Sequence, residues 1–216
     1  MKTFLSIGTG PGIGLATADR FSTEGFNTVL SSRNPEQLEH YVQTSQKKRR
    51  VSAFMDVDAS DTESIKRLIA RVLQQYGFID VLHYNAAALR QSNITEQPAD
   101  TFLSDLSVNI AGAMVAIQSV LPLMLAQRKG TILLTGGKFG IIPVPEYISL
   151  SVGKAGLRTL ALGLFDDFKF KGIHICTVTA SASNGADLAW SMGVAQAFWQ
   201  LYSTPYDDWV AEIAYP

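Results

Sequence analysis

Four glycines within seven residues carry the strongest chemical signal in this chain: Gly8-Thr9-Gly10-Pro11-Gly12-Ile13-Gly14. The segment directly follows the apolar run Phe4 to Ile7 and directly precedes a helical pattern. A turn without side chains between a strand and a helix leaves backbone N–H groups and the positive end of the helix dipole facing outward, which is an anion site. Spacing selects the kind of site. Gly-x-Gly-x-x-Gly would need glycine where Ile13 stands, and Gly-x-x-x-x-Gly-Lys is absent, whereas Gly8, Gly12 and Gly14 fit Gly-x-x-x-Gly-x-Gly. The next apolar run ends in Ser31-Ser32-Arg33. An acid there would pair with the ribose hydroxyls of NAD, and an arginine accommodates a 2′-phosphate, so Ser32 and Arg33 favour NADP(H) over NAD(H). Pro11 occupies the loop position where a second basic residue would have strengthened that preference.

The elements that must position these residues alternate in kind. Apolar, β-branched runs predict strands at Phe4 to Ile7, Thr28 to Ser31, Val51 to Met55, Ile79 to Tyr84, Thr131 to Thr135 and Ile173 to Thr179. Helical patterns lie between them, over Gly12 to Glu24, Pro35 to about Ser45 with Asn34 as N-cap, and Asp61 to Tyr76, capped by Ser60 or Asp61 and stopped by Gly77. A looser stretch, Ala87 to Pro98, precedes two long helices, about Asp105 to Arg128 and about Ser149 to Phe170. The tail from Ala186 to Pro216 reads as helical and aromatic, with a short strand near Val210 to Tyr215. Short strands alternating with helices predict right-handed crossovers and an α/β fold: a Rossmann-like doubly wound parallel sheet of six or seven strands, with helices on both faces and ligands at the strands' carboxyl ends.

Composition bounds the rest. At 216 residues the chain fits one domain, and 47% hydrophobic against 17% charged residues supplies a core and excludes a disordered chain. Eighteen basic and nineteen acidic residues leave a net charge of −1, which gives no case for nucleic acid or a membrane surface. Lys47-Lys48-Arg49-Arg50 reads as a solvated helix end. No stretch is expected to span a bilayer, and the single cysteine, Cys176, excludes an intrachain disulfide and a cysteine-based metal site. A reducing cytoplasm is the expected compartment. Cys176 and His83 both lie inside apolar strands and are expected in the core.

From residue 3 to about 180 the chain resembles the short-chain dehydrogenase/reductase family, motif by motif and in order. The glycine loop matches. Asp56-Val57 resembles the acid–apolar pair that contacts adenine, and Asn85-Ala86-Ala87, after Tyr84, is similar to the family's Asn-Asn-Ala-Gly. Asn109 corresponds to the structural and proton-relay asparagine, and Lys154 to the lysine that grips the nicotinamide ribose. The resemblance implies hydride transfer between NADP(H) and a small molecule, a carbonyl or activated alkene, with a tyrosine four residues before the lysine and a serine about thirteen before that. Those positions hold Leu150 and Gly137. A phenol that protonates the substrate and a hydroxyl that steadies its oxygen are both missing.

Nearby side chains that could replace the missing acid are Tyr147 and Lys138, ahead of Glu146 and Thr135. On a helix, Tyr147 would lie about 10.5 Å of rise from Lys154, against about 6 Å for the family spacing. Pro145 favours a loop position instead. In the tail, Ala195, Phe198, Trp199 and Tyr202 have the spacing of a core-facing stripe, part of which could wall a pocket. The resemblance implies a homodimer or homotetramer through helices 105–128 and 149–170, whose apolar residues include Val115, Val120, Leu123, Leu157, Leu160 and Leu164. Three readings remain open: an NADP(H)-dependent oxidoreductase with an unusual acid, a catalytically inactive NADP(H)-binding protein acting as a sensor or partner-binding protein, and an oligomeric module whose nucleotide site has decayed.

Overall fold

The computed structural model describes the chain except for residues 35, 38, 41, 42, 44–51 and 182–186. Seven parallel strands form one sheet in the order β3-β2-β1-β4-β5-β6-β7. They are β1 (Thr3–Ile7), β2 (Asn27–Ser32), β3 (Ser52–Asp56), β4 (Val81–Tyr84), β5 (Gly130–Thr135), β6 (Ile173–Ala180) and β7 (Glu212–Tyr215). The order reverses between β1 and β4, which pair directly, with Ile7 opposite Tyr84. At that reversal the crossovers leave to opposite faces and open a crevice at the carboxyl ends.

Successive residues of each strand feed two cores. Leu5, Val29, Leu82, Tyr84, Ile132 and Leu134 point to one face, where they meet α2 (Thr62–Tyr76), α4 (Gly112–Gln127) and α5 (Ile148–Phe170). Phe4, Leu30, Val81, Leu133 and Cys176 point to the other, against α1 (Ile13–Thr23) and α6 (Leu188–Ser203). A sheet buried on both faces explains why its strands read as almost continuous apolar runs. Cys176 is fully buried, and that burial pushes its thiol pKa up, away from reactivity.

Helix ends follow local chemistry. Asp61 caps α2 by accepting from Glu63 N, and Gly77, at φ +80°, ends it. Asn34 accepts from Gln37 N at 3.1 Å, the N-cap contact expected of it. The remainder of the expected 35–45 helix, and the Lys47–Arg50 run, fall largely outside the described residues. The long helix expected from Asp105 begins six residues earlier. It runs as α3 (Ala99–Leu106), a π-helical turn (Ser107–Ala111) and α4. Pro98, at φ −60°, is its N-cap, and the polar first turns hid the start from apolar periodicity. Ala99–Gln127 and α5 are long and apolar enough to cross a bilayer, although here both contribute side chains to the core beneath the sheet.

The aromatic tail packs as a core stripe. Ala195 and Phe198 are buried, and Phe21, Phe26, Trp199 and Tyr202 form an edge-to-face cluster with ring centres 5.2–6.4 Å apart. Of the apolar residues expected on an intersubunit face, Val120 and Leu157 are instead buried within the fold.

Candidate active site

The turn after β1 forms the floor of a cleft of about 170 Å³ lined by Gly8, Thr9, Gly10, Ser32, Arg33, Val57, Asp58, Ala86, Ala87 and their neighbours. Gly8 has φ +82°, and a Cβ on it would fall 2.3 Å from the Ala86 Cα, so no other residue fits there. Gly10 faces open space, with nothing within 4 Å of a Cβ position. Gly12 is the N-cap of α1 and offers no side-chain cap, which leaves the first N–H groups of the helix for an anion. Thr9 is buried. Its hydroxyl donates to Ser6 O and accepts from Ser31 N, so it braces the loop from beneath. These features fit a dinucleotide phosphate.

Arg33 stands exposed at the mouth of this cleft. Asp58 lines the cleft beside it and accepts from Ser60 N and Oγ. Those bonds, with the Arg33 charge, hold its carboxyl below the usual range. No sequence motif marks Asp58, although it lies only two residues beyond Asp56. Asp56 itself is not among the lining residues. Its exposed carboxylate pairs with Arg71 at 3.1 Å, while Val57 faces the cleft.

Ala87 also lines a second cavity of about 310 Å³, so the two adjoin. This cavity lies over the ends of β4, β5 and β6. Its walls are mainly Ile13, Leu89, Phe139, Leu150, Ala180 and Trp190. Lys138 and Lys154 line it, and among the described residues no carboxylate does. Lys154 is buried and donates from Nζ to Thr135 O at 2.7 Å. Loss of solvation lowers its pKa to about 8.

A chain of hydrogen bonds joins the two cavities from behind. Asn85 Nδ2 donates to Gly8 O at 2.7 Å, so its Oδ1 accepts the Thr135 hydroxyl at 2.9 Å. With that proton committed, Thr135 Oγ1 can only accept from His83 Nε2 at 2.9 Å, and His83 Nδ1 accepts from Ser6 Oγ at 3.3 Å. His83 is therefore a neutral Nε2–H tautomer. Burial, and after it the Lys154 charge, lower its pKa to about 3. The chain ties the glycine turn to the end of β5 with every member satisfied.

The matching family model, short chain dehydrogenase, spans residues 2–193. The chain belongs to the short-chain dehydrogenase family. It is 30% identical over 178 residues to an uncharacterised oxidoreductase of Listeria monocytogenes, covering 82% of this chain and 72% of that one. It is also 30% identical over 186 residues to a glucose 1-dehydrogenase of Gluconobacter oxydans, covering 84% and 69%. Among solved structures, a metagenomic short-chain oxidoreductase in complex with NADP superposes over 100% of this chain and 97% of its own, with TM-score 0.91 and 19% identity. An actinorhodin polyketide ketoreductase variant with NADPH covers 99% and 94%, with TM-score 0.91 and 20% identity. At those identities the likeness is one of fold.

In this short-chain dehydrogenase, Gly137 and Leu150 both line the cavity beside Lys154. A Cβ on Gly137 would meet Lys154 Cγ at 3.5 Å, an ordinary contact, so the site has room for the serine it lacks. Tyr147 does not line the cavity. It is the N-cap residue of α5, and its ring stacks on Phe139 with centres 5.5 Å apart. Asn109 does not line it either. The π turn drops its buried side chain onto Ala88, accepting from Ala88 N at 2.7 Å and donating to Ala88 O at 3.3 Å. Both side-chain groups are spent on holding the loop after β4, and a Cβ on Gly153 would lie 2.3 Å from the Asn109 Cβ.

A second brace of that loop carries no sequence motif either. Asp105 is buried on α3 and accepts from Arg90 Nε, Gln97 Nε2 and Ser149 Oγ at 2.8–3.0 Å. It joins the loop, α3 and the start of α5, where Leu150 enters the cavity wall.

Proposed function

We propose that this short-chain dehydrogenase binds NADP(H) and transfers hydride to or from a carbonyl or activated alkene in the cavity over β4–β6. The observation that carries this reading is the junction at Ala87 between a phosphate-sized glycine cleft and an apolar cavity walled by Lys154. The turn Gly8 to Gly14 and the α1 N-terminus would hold the cofactor's phosphates, which the bare glycine turn and the uncapped helix start support. Arg33, with Ser32, meets a 2′-phosphate. Ala86 and Ala87 would hold the inner ribose, one Lys154 N–H would meet a ribose hydroxyl, and Ile13 would back the ring, since all four line the two adjoining cavities. The cofactor supplies the hydride.

The chain's own residues do the remaining work. Leu89, Phe139, Leu150 and Trp190 exclude water and hold an apolar or aromatic substrate. Lys138 places a cation at the cavity's edge, where it attracts the oxygen on which negative charge develops. Exposed Met114, Leu123, Val152 and Leu162 on α4 and α5 support self-association through these helices, and a cytoplasmic location agrees with the single buried thiol.

Titration with NADPH and NADH by nicotinamide fluorescence tests the cofactor, followed by NADPH consumption over ketones, aldehydes, quinones and enones. Binding of NADPH well ahead of NADH, with turnover of one class, is expected. Leu150 and Gly137 favour a second reading, an inactive NADP(H)-binding sensor or partner-binding protein. Tight NADPH binding without turnover of any class would select it.

A further inference from the structure

Resting on the oxidoreductase reading, we propose that Lys154 itself delivers the proton, from within the cavity wall. Leu150 stands one helical turn before Lys154 and is buried in that wall, so no phenol lies between the ammonium and the cavity. Gly137 lacks the side chain that would cover the lysine stem, since a Cβ there would sit 3.5, 3.6 and 3.7 Å from Lys154 Cγ, Cδ and Cε. Among the described residues the ammonium donates to Thr135 O. That bond anchors Nζ at the end of β5 and leaves two N–H directions for acceptors in the cavity.

The alternatives are engaged or outside. Tyr147 is stacked on Phe139 and does not line the cavity. The Thr135 hydroxyl is committed to Asn85, and His83 is neutral with both ring nitrogens bonded. Lys138 is exposed at the cavity's edge rather than held within its wall. The titratable groups around Lys154 leave its proton free to move. His83 faces it from β4 and Lys138 from the turn after β5. Arg158, one turn further along α5, is paired with Glu212, and Asp105 on α3 is paired with Arg90. Burial, which lowers Lys154 to about 8, brings it into the working range of a general acid.

In the reductive direction the carbonyl carbon accepts hydride from the reduced nicotinamide. The π pair of the C=O bond moves onto oxygen, and oxygen takes a proton from Lys154. The products are an alcohol, the oxidised nicotinamide and a neutral amine, which regains its proton from water at the cavity mouth.

Two measurements test this. The first is ¹³C reductive methylation of the intact chain, followed by an NMR pH titration with the Lys154 signal assigned by its absence in Lys154→Arg. It needs no turnover. A signal that titrates near pH 8 is expected, and one titrating near 10.5, or a lysine that formaldehyde does not reach, overturns the proposal. The second is the pH profile of kcat/KM for any carbonyl the screen turns over. It should be level below pH 8 and fall about tenfold per unit above it. Lys154→Arg keeps the charge but not a transferable proton, so kcat should drop about 100-fold or more, with KM for NADPH moving far less. A flat profile from about pH 7 to 10, or full kcat in Lys154→Arg, overturns the proposal. Failure to bind NADPH would instead remove the underlying reading and this inference with it. NADPH binding with an ordinary lysine titration would remove this inference alone.

Discussion

Replacing Lys154 by methionine should make the unliganded protein more stable, although it removes a buried hydrogen bond. The ammonium sits in the fold with a pKa of about 8 against 10.5 for a free lysine. Holding the charge at pH 7 therefore costs about 3 kcal/mol, at about 1.4 kcal/mol per unit. Methionine has nearly the same length, removes that cost and leaves Thr135 O without its donor, a loss of about 1 kcal/mol. The net expectation is a gain of about 1–2 kcal/mol, or a Tm rise of roughly 2–8 °C for a chain of this size.

The pH dependence gives the sharper signature. Between pH 8 and 10.5 the unfolded chain holds a proton on this lysine that the folded chain has released, so the wild type gains stability from the group as pH rises. The variant's advantage should be full below pH 8, pass through zero at roughly pH 9–9.5 and end about 1 kcal/mol negative by about pH 10.5, where the neutral amine of the wild type still donates to Thr135 O. Urea unfolding at about pH 6.5, 8 and 9.5 measures it. A Lys154→Met protein less stable than the wild type at neutral pH, or a difference that does not change with pH, would refute the reasoning. NADPH titration of the same variant should show weakened binding, so that stability and affinity move in opposite directions.

Arg33→Ala should weaken NADPH binding by about 1.5–3 kcal/mol, the value of a charge-assisted contact, and leave NADH unchanged, whereas Asp58→Asn should strengthen NADPH by relieving a neighbouring carboxylate; calorimetry with both cofactors reads this. Gly8→Ala would drive a Cβ to 2.3 Å from the Ala86 Cα at a positive φ, so a loss of at least about 2 kcal/mol of stability is expected by thermal unfolding, together with loss of cofactor binding. His83 and His174 are held neutral by burial, at about 3 and about 4 against 6.5. The unfolded chain takes up protons on both below pH 6.5, so they should withdraw on the order of 5 kcal/mol between pH 6.5 and about 4, seen as a falling urea midpoint. Arg90→Ala leaves the buried Asp105 carboxylate with Gln97 and Ser149 alone and should cost about 2 kcal/mol, measured by urea unfolding at neutral pH.

Much of the framework is legible in the residue string, because it is encoded locally. A strand buried on both faces must be apolar throughout, an amphipathic helix must repeat every three to four residues, and Asp61, Asn34 and Gly77 mark ends through contacts a few residues away. The glycine spacing and its place between a strand and a helix are likewise local, so the glycine turn of the cleft stands out in the string itself. What stays hidden depends on partners distant in sequence. Tyr147 and Leu150 are three residues apart, yet only Leu150 enters the cavity, because the ring of Tyr147 is drawn onto Phe139. Asn109 matches a relay motif, but a π turn that no periodicity reveals commits its amide to Ala88. Asp58 and Asp105 read as ordinary acids until the fold sets Arg33 and Arg90 beside them. The sequence alone determined the family, the doubly wound parallel class and the glycine turn between β1 and α1. The tertiary structure decided which side chains share the cavity, because burial and charge act between atoms that the fold, not the order of residues, brings within a few ångströms.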